Sequence, residues 1–347
     1  MIWPEFSGEG GGNMRRICAG VLAAVLALTL MGCGRQQRPE DGKLNVVCTL
    51  FPYYDFVREI GGDAVNVQLL VPAGRETHSF EPTPLDVIAV SEADVFLYNG
   101  GESELWVEEI LGAAGESIPY RLAMMDCVET YREEYVEGMQ GGHDHAHEDE
   151  HEHDHGHEDG DGHLHDGHEE DIEYDEHIWT SPVNAMALCR AICDTLCEAD
   201  PDNAEGYRAR LEGYLAELEA LDETFRDIVD GAARKLLVFG DRFPLLYFCR
   251  EYGLDYRAAF HGCSGDTEPS LATLKYLIDV VREQEIPVVY TIELSSQKVA
   301  ETIAETTGAQ VRTFHSCQTV SRAEFDSGAT YISLMTANAA ALKEGLS

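Results

Sequence analysis

The order of apolar and polar positions along the chain predicts strands that alternate with helices. Residues 43–50 (KLNVVCTL) form a nearly continuous apolar run, which is typical of a strand buried on both faces of a parallel sheet. Further strands are predicted at 65–71 and 94–98, and a helix is predicted at 104–111. Because alternating strands and helices indicate a parallel α/β fold, the first half of the chain predicts one α/β lobe.

A second α/β series follows one long helical pattern. In residues 203–233 apolar side chains, among them Tyr207, Leu218 and Phe225, recur at three- and four-residue steps without an interrupting proline. A helix of this length near the middle of the chain predicts a strut between two lobes. The later strands are predicted at 235–239, 256–260, 288–292 and 311–314, and the later helices at 271–283, 296–307 and 329–342.

The fold class predicted from this pattern is α/β, with two parallel-sheet lobes. The N-terminal lobe is expected over 44–200, the linking helix over 201–233 and the C-terminal lobe over 234–347.

Residues 141–170 interrupt the pattern inside the N-terminal lobe. They hold ten of the 14 histidines of the chain, mixed with aspartate, glutamate and glycine. Such a segment cannot bury enough surface to offset the entropy of ordering it, so we predict a disordered loop rich in histidine and acids. Imidazole is a good ligand for zinc, copper, nickel and iron, and metal handling is therefore the working hypothesis.

The charge of the chain excludes one class of partner. The sequence has 64 acidic residues against 24 lysines and arginines, for a formal net charge of −40. Binding of nucleic acid requires clustered lysine and arginine to neutralise phosphates, so no nucleic-acid partner is expected. The same charge attracts cations over long range.

The N-terminus has the pattern of an export signal. Arg15 and Arg16 precede an apolar run at 17–30, and the sequence LMGC ends at Cys33. This ending resembles a bacterial lipobox, with Cys33 as the acylated residue, so residues 1–33 are expected to be a signal peptide and 34–43 a polar tether. We expect a monomer outside the cytoplasm that is anchored to the bacterial cell membrane by lipid.

Residues that can bind a metal occur where the predicted strands end or a helix begins. Ligands of parallel α/β folds bind at the carboxyl ends of the strands, so these positions predict one metal site better than any lone histidine does. The candidates are His78 after the strand at 65–71, Asp241 after 235–239, His315 after 311–314, and His177 at the entry to a helix.

The chain resembles the zinc/manganese ABC-transporter substrate-binding lipoproteins, the ZnuA-like family, from about residue 44 to the C-terminus. The resemblance rests on THSFEPTP at 77–84, NGGESELW at 99–106, DEHIWTSP at 175–182 and YISLM at 331–335. It implies two α/β lobes joined by a rigid long helix, with one metal ion in the cleft between them. It also implies capture of zinc and its delivery to the permease subunit of an ABC transporter.

The third ligand position departs from the family pattern. The family usually has a stretch like His-Asp-Ala-Tyr-x-Tyr-Phe, whereas FGDRFPLLYF at 239–248 puts Arg242 at the ligand position, and a guanidinium cannot bind metal. The family commonly has an Asp where this chain has His315. The expected ligands are therefore His78, His177 and His315, with Asp241, Glu268 or a water in the remaining position, His261 in reserve, and Glu293 as a ligand or as an acceptor that orients a histidine.

Three nitrogen ligands with one oxygen favour Zn²⁺ over Mn²⁺, which prefers more oxygen. A manganese or iron receptor of the same family is the nearest alternative. A secreted zinc-dependent hydrolase could use three ligands and an open water, although the chain lacks a Gly-x-Ser-x-Gly motif. A third alternative is an interaction protein, such as a cell adhesin or a scavenger, in which only the histidine-rich loop acts.

Two of the ten cysteines are candidates for a disulfide. Cys263 and Cys317 lie in short polar segments after the strands at 256–260 and 311–314, and export allows their oxidation. A bridge there would help to fix the segment that carries His315.

Overall fold

The N-terminal lobe is built on four short parallel strands, of which the two in the middle of the sheet are mostly apolar and buried. The structure, a computed structural model, describes residues 42–77, 79–115, 118–139, 173–262 and 268–347. Leu44 is paired with Val65, and Val46 is paired with Val95. In the order β2-β1-β3-β4, this sheet consists of β1 (Leu44–Cys48), β2 (Val65–Leu69), β3 (Val95–Tyr98) and β4 (Tyr120–Ala123).

The C-terminal lobe has a parallel sheet of the same size. Its first strand continues past the predicted end at 239 to Phe243, with a register shift between Phe239 and Arg242. Asp241 therefore lies within a strand and does not follow one. In the order β6-β5-β7-β8, the sheet consists of β5 (Leu236–Phe243), β6 (Asp255–His261), β7 (Val288–Thr291) and β8 (Gln310–Thr313).

Several helices begin at recognisable capping sequences. Ser181 accepts a hydrogen bond from the backbone N–H of Asn184 at 3.3 Å, and Pro182 occupies the first turn, where its missing N–H costs nothing. The described helices are α1 (Phe51–Gly61), α2 (Pro84–Ser91), α3 (Trp106–Ala114), α4 (Pro182–Ala199), α5 (Ala204–Asp230), α6 (Leu246–Tyr252), α7 (Leu271–Glu283), α8 (Lys298–Thr307), α9 (Arg322–Asp326) and α10 (Tyr331–Gly345).

Each sheet packs on one central core and on an outer core of its own. Phe96 belongs to the outer core of the first lobe, and Val289 to that of the second. The central core contains side chains from both sheets, such as Val46 and Phe239, together with Trp179. Because one apolar cluster continues through both lobes, residues Leu44–Ser347 form one compact unit.

Helix α5 packs against both lobes. Near its start Arg210 donates to the carbonyl oxygens of Ile60 and Gly61 at 2.7 and 2.8 Å. Near its end the ring of Phe225 meets Phe248 edge to face, with centroids 4.9 Å apart. The helix thus contacts α1 of the first lobe and α6 of the second. None of the helices in the described residues combines the length and the hydropathy that a bilayer crossing requires.

Candidate metal-binding site

His177 lies in a buried turn that leads into α4. Only 1 % of the residue is exposed. The Asp175 carboxylate accepts the backbone N–H of His177 at 2.9 Å, and its Oδ1 lies 3.2 Å from Nδ1 of the imidazole. Burial is the largest single influence and disfavours a charged imidazole, but Asp175, Glu176 and Glu133 together raise the pKa of His177 above its usual value. With the Nδ1 proton held by Asp175, the ring lone pair is on Nε2, the nitrogen that would bind a metal.

The segment before His177 is fixed by the stretch at 99–104. Asn99 donates its side-chain N–H to the carbonyl oxygen of Glu176 at 3.0 Å, and the backbone N–H of Ser103 donates to the Glu176 carboxylate at 2.9 Å. Gly101 has a φ of +89°, and a side chain there would collide with Glu176. Glycine is therefore required for both conformation and space. These contacts hold the histidine turn against the first lobe.

Glu104 supports the same segment from a fully buried position. Its carboxylate accepts the backbone N–H groups of Asn99 at 2.7 Å and Gly100 at 3.1 Å. Burial raises the pKa of Glu104 to about 7, although these hydrogen bonds act in the opposite direction. The Glu104 carboxyl group thus binds the loop whose residue Ser103 contacts Glu176.

His315 lies after β8 in the second lobe and is 5 % exposed. The side chain of Asn338 makes two hydrogen bonds to the backbone of His315. Its oxygen accepts the N–H of His315 and its N–H donates to the carbonyl oxygen of His315, each at 2.7 Å. The backbone N–H of Cys317 donates to Nδ1 of the His315 ring at 2.9 Å. The ring orientation is therefore set by contacts within the second lobe.

Two carboxylates flank the His315 ring. Glu293 Oε2 lies 3.6 Å from Nδ1, and Glu324 Oε1 lies 3.9 Å from Nε2. Burial lowers the pKa of the ring, but the acidic neighbours, Glu293 above all, raise it to about 11 in the absence of metal. Nε2 is buried and has no hydrogen-bond partner among the described residues. A buried imidazole nitrogen in that state fits a ligand position, since an unsatisfied polar atom is otherwise costly.

The two histidine segments are in contact with each other. The indole N–H of Trp179 donates to the carbonyl oxygen of Ser316 at 2.8 Å. Trp179 follows His177 by two residues, and Ser316 directly follows His315. The hydroxyl of Tyr331 donates to the carbonyl oxygen of Trp179 at 2.7 Å, so α10 fixes the same junction.

The predicted oxygen ligands occupy different surroundings. Both oxygens of Asp241 accept backbone N–H groups, from Arg242 at 2.9 Å and from Ile292 at 3.2 Å. Burial raises the pKa of Asp241. Glu268 is exposed and lies, like Asp241, on the wall of a cavity of about 730 Å³ between the loop after β2 and the second lobe. The carboxylate of Glu293 accepts the N–H of Ser316 at 2.8 Å and also its hydroxyl.

Several predicted features lie outside the described residues. His78, Cys33, Cys263 and the loop at 141–170 belong to this group, so the full ligand set stays a prediction. Within the residues that are described, no group of three or more His, Cys, Asp or Glu side chains is arranged to hold a metal ion. Cys317 is a free, fully buried thiol, and its bridge to Cys263 also remains a prediction.

Sequence reasoning identified the histidines but missed two of their acidic neighbours. Asp175 precedes His177 by two residues, a spacing that lets one carboxylate reach both the backbone and the ring of the histidine. That local signal was available in the sequence. Glu324 instead reaches His315 from the start of α9, a short helix that the pattern did not predict.

His261, the reserve ligand, is engaged elsewhere. Its Nδ1 lies 2.9 Å from the Glu133 carboxylate, and its ring packs on Tyr135 with centroids 5.2 Å apart. The neighbouring Gly262 lies against the ring of His177, where a side chain would press on Cε1. The backbone next to His261 therefore packs near His177, while the His261 ring contacts Glu133.

Known proteins resemble the chain over nearly its whole described length. A family model described as zinc-uptake complex component A, periplasmic, matches residues 46–345. The high-affinity zinc uptake system protein ZnuA of Bacillus subtilis (strain 168) is 33 % identical over 334 residues, covering 94 % of this chain and 96 % of that protein. The zinc-binding lipoprotein AdcA of Streptococcus pneumoniae is 32 % identical over 325 residues, covering 93 % of this chain but only 60 % of AdcA.

A solved structure supports the same relationship. The Zn(II)-bound ZnuA-like domain of Streptococcus pneumoniae AdcA matches with a TM-score of 0.66 and 29 % identity, covering 88 % of this chain and 99 % of that domain. The match confirms the prediction of two α/β lobes built on parallel sheets.

Proposed function

The chain belongs to the family of zinc-uptake complex component A proteins, and from this premise we propose that it is an extracytoplasmic receptor for zinc. It captures Zn²⁺ and delivers it to the membrane permease of an ABC transporter. Zinc is the cargo of this protein and takes part in no reaction here. The names of the relatives ZnuA and AdcA, both zinc proteins, support the assignment.

One observation carries the proposal. His177 and His315 are almost fully buried, each has a carboxylate within 3.6 Å of its Nδ1, and their segments meet through Trp179. A carboxylate on one ring nitrogen fixes the tautomer and makes the other nitrogen a better metal ligand. In the structure Nδ1 of His315 accepts the Cys317 N–H, so binding of zinc at Nε2 requires a proton to move to Nδ1, whose nearest carboxylate is that of Glu293 at 3.6 Å.

His78 supplies the third nitrogen in this proposal. It follows β2 by sequence, at the edge of the sheet where ligands of parallel folds bind. The fourth ligand is an oxygen from Glu268, Asp241 or a water. Asp241 is the weaker choice, because its carboxylate is already occupied by the N–H groups of Arg242 and Ile292. Glu293 serves better as the orienting acceptor for His315 than as a ligand.

Attachment to the membrane follows from the N-terminal sequence. Acylation of Cys33 would anchor the receptor by lipid outside the cytoplasm, with residues 34–43 as a tether. The permease would then meet a monomeric receptor. The relative AdcA is a lipoprotein by name, which supports the anchor.

The test is zinc stoichiometry and affinity in the mature chain without residues 141–170. Competition with a chelator of known zinc affinity should give one tight site. His177→Ala and His315→Ala should each weaken zinc binding at least about 100-fold, because each change removes one nitrogen ligand and its ordered surroundings. His261→Ala is the matched control, since its ring pairs with Glu133, and it should keep the tight site.

Loss of all tight binding in the loop-free chain would contradict the proposal. It would favour the alternative in which only the histidine-rich loop acts, as in an adhesin or a scavenger. Equal affinity for Mn²⁺ or Fe²⁺ and Zn²⁺ would favour the receptor for another metal. A chelator-sensitive hydrolysis of peptides or esters by the purified protein would favour the hydrolase.

A further inference from the structure

An ion pair joins the two lobes beside the cleft. The guanidinium of Arg242 on β5 donates to the carboxylate of Glu76 in the loop after β2, with Nη1–Oε1 and Nη2–Oε2 distances of 3.3 and 3.1 Å. Two parallel N–H···O contacts define a fork geometry that a single-point ion pair lacks. The contact connects the two lobes through residues 166 positions apart in sequence.

The loop that carries Glu76 has a second contact with the C-terminal lobe. The backbone N–H of Gly74 donates to the carbonyl oxygen of Val320 at 2.7 Å. Glu76 lies two residues before His78 in the sequence. The segment that leads to the proposed ligand is thus held by the opposite lobe at two points, of which the ion pair is the one nearer to His78.

Arg242 is well placed for a fixed contact. Its side chain is 18 % exposed and that of Glu76 38 %, so the pair is partly shielded from water but remains open to screening by salt. Both residues line the cavity of about 730 Å³ next to the proposed site. The backbone N–H of Arg242 is held by Asp241, whose other oxygen is held by Ile292. The guanidinium is therefore mounted on an ordered strand.

We propose that Arg242 is a positioning residue, which holds the loop before His78 against the C-terminal lobe through Glu76 and so slows the release of bound zinc. The guanidinium of Arg242 cannot bind a metal, so the residue contributes to zinc binding through its contact between the lobes. The inference rests on the proposed function for its effect on zinc, while its effect on the loop can be measured without metal.

The expected effect on zinc is moderate. Arg242→Gln and Glu76→Gln should each raise the zinc dissociation rate about three- to fivefold, the equivalent of about 0.6–1 kcal/mol for a partly exposed ion pair. The double variant should release zinc no faster than either single variant, because one interaction is lost in all three. Raising the salt concentration to about 1 M should accelerate release from the wild type and leave the variants nearly unchanged.

The metal-free readout is amide hydrogen exchange. In Arg242→Gln the N–H of Gly74, which donates across the lobes, should exchange at least about threefold faster than in the wild type. Arg312→Gln is the control, because it also removes an arginine–glutamate ion pair, the more exposed one to Glu344, but within the C-terminal lobe. It should change neither zinc release nor exchange at Gly74. A double variant that swaps the two charges, Glu76→Arg with Arg242→Glu, should restore slow release of zinc.

The outcomes separate the two claims. If the wild type has no tight zinc site, the proposed function fails, and exchange at Gly74 still decides whether Arg242 holds the loop. If the wild type binds zinc tightly and Arg242→Gln changes neither the dissociation rate nor the exchange at Gly74, the role of Arg242 is refuted. Faster exchange with unchanged zinc release would also refute it, because the contact would then be only structural.

Discussion

Asp175→Asn tests whether the geometry around His177 serves metal binding. The Asp175 carboxylate accepts the His177 backbone N–H at 2.9 Å and lies 3.2 Å from its Nδ1. An asparagine has nearly the same shape and can still accept one hydrogen bond, but it carries no charge. The substitution therefore removes the electrostatic support for the ring and leaves the turn nearly intact.

The expected loss follows from what the carboxylate does for the ring. Replacement of the partner that orients a ligating histidine typically costs about 10- to 100-fold in metal affinity. This corresponds to about 1.4–2.7 kcal/mol of binding free energy. The upper part of this range is expected here, because Asp175 is 2 % exposed and water cannot replace its charge. Asp175→Ala should cost more, since it also leaves the His177 N–H without its acceptor.

The assay is competition for zinc against a chelator, with thermal unfolding measured with and without the metal. Asp200→Asn is the matched control, because it neutralises another fully buried carboxylate, which accepts the Tyr207 hydroxyl at 2.9 Å. The control should lower the melting temperature without weakening zinc binding. Zinc affinity of Asp175→Asn within about twofold of the wild type would refute the reasoning, since no ligating histidine should lose such a partner at so little cost.

The remaining predictions concern protons and thiols. Burial opposes the charged imidazole, but acidic neighbours raise the pKa of His177 and bring that of His315 to about 11. Protons therefore compete with zinc, and zinc affinity should fall steadily from pH 8 to pH 5. An affinity that does not change with pH would contradict a histidine site. Burial raises the pKa of Glu104 to about 7, so the folded state binds a proton that the unfolded state releases, and Glu104 should lower the unfolding free energy of the metal-free protein by on the order of 3 kcal/mol from pH 4 to pH 8. In urea titrations Glu104→Gln should lose this contribution to the pH dependence. Thiol counting by mass spectrometry under denaturing, non-reducing conditions should find Cys263 and Cys317 protected from alkylation, and alkylation of both would exclude the bridge.

Much of the secondary structure could be predicted because local signals agree with the tertiary contacts. Helix α7 has the predicted bounds Leu271–Glu283, and its start is fixed by the Ser270 hydroxyl, which accepts the N–H of Thr273 at 3.0 Å. Strand β4 was missed because its sequence, Tyr120–Ala123, is short and only partly buried. Its position comes from pairing with β3, which is a contact between distant parts of the chain.

The end of β5 shows how tertiary pairing overrides local sequence. Gly240 and Asp241 have low strand propensity, and the sequence pattern predicts that the strand ends before them, at 239. Arg242 nevertheless pairs with Phe260 of β6 after a register shift, which adds residues to the strand. A side chain at Gly240 would collide with the backbone of Ala300, so glycine is required where α8 packs on the strand. The sequence alone contains neither constraint.

The same limit applies to the candidate site. Histidines could be identified from residue type and position, whereas their acidic partners depend on the sheet order. Glu293 reaches His315 because β7 and β8 are neighbours, and Tyr290 is paired with Arg312 between them. Only Asp175, two residues from its histidine, had a local signal. The sequence allowed Glu293 to be proposed as an orienting acceptor, but the histidine that it faces and the contact of Glu324 could not be assigned before the topology was known.

The loop at 141–170 is expected to collect zinc weakly and pass it to the site at His177. The described residues on either side of it are joined, since Arg132 bridges Tyr174 in antiparallel fashion and the N–H of Asp175 donates to the carbonyl oxygen of Tyr131 at 2.9 Å. The described residues on the two sides of the loop are therefore joined close to the turn that holds His177.

The affinities of the two parts should differ in a definite direction. Loop histidines separated by glycine lose chain entropy with each coordination geometry they adopt, whereas His177 is already held by its turn. Removal of residues 141–170 should therefore slow loading from a limiting, buffered zinc supply and leave the final site affinity unchanged. A loop of equal length in which every histidine is serine is the control that keeps the acidic charge. Equal loading rates of the wild type and both variants at every zinc level would leave the loop without a delivery role, because neither its imidazoles nor its charge would then reach the step that limits capture.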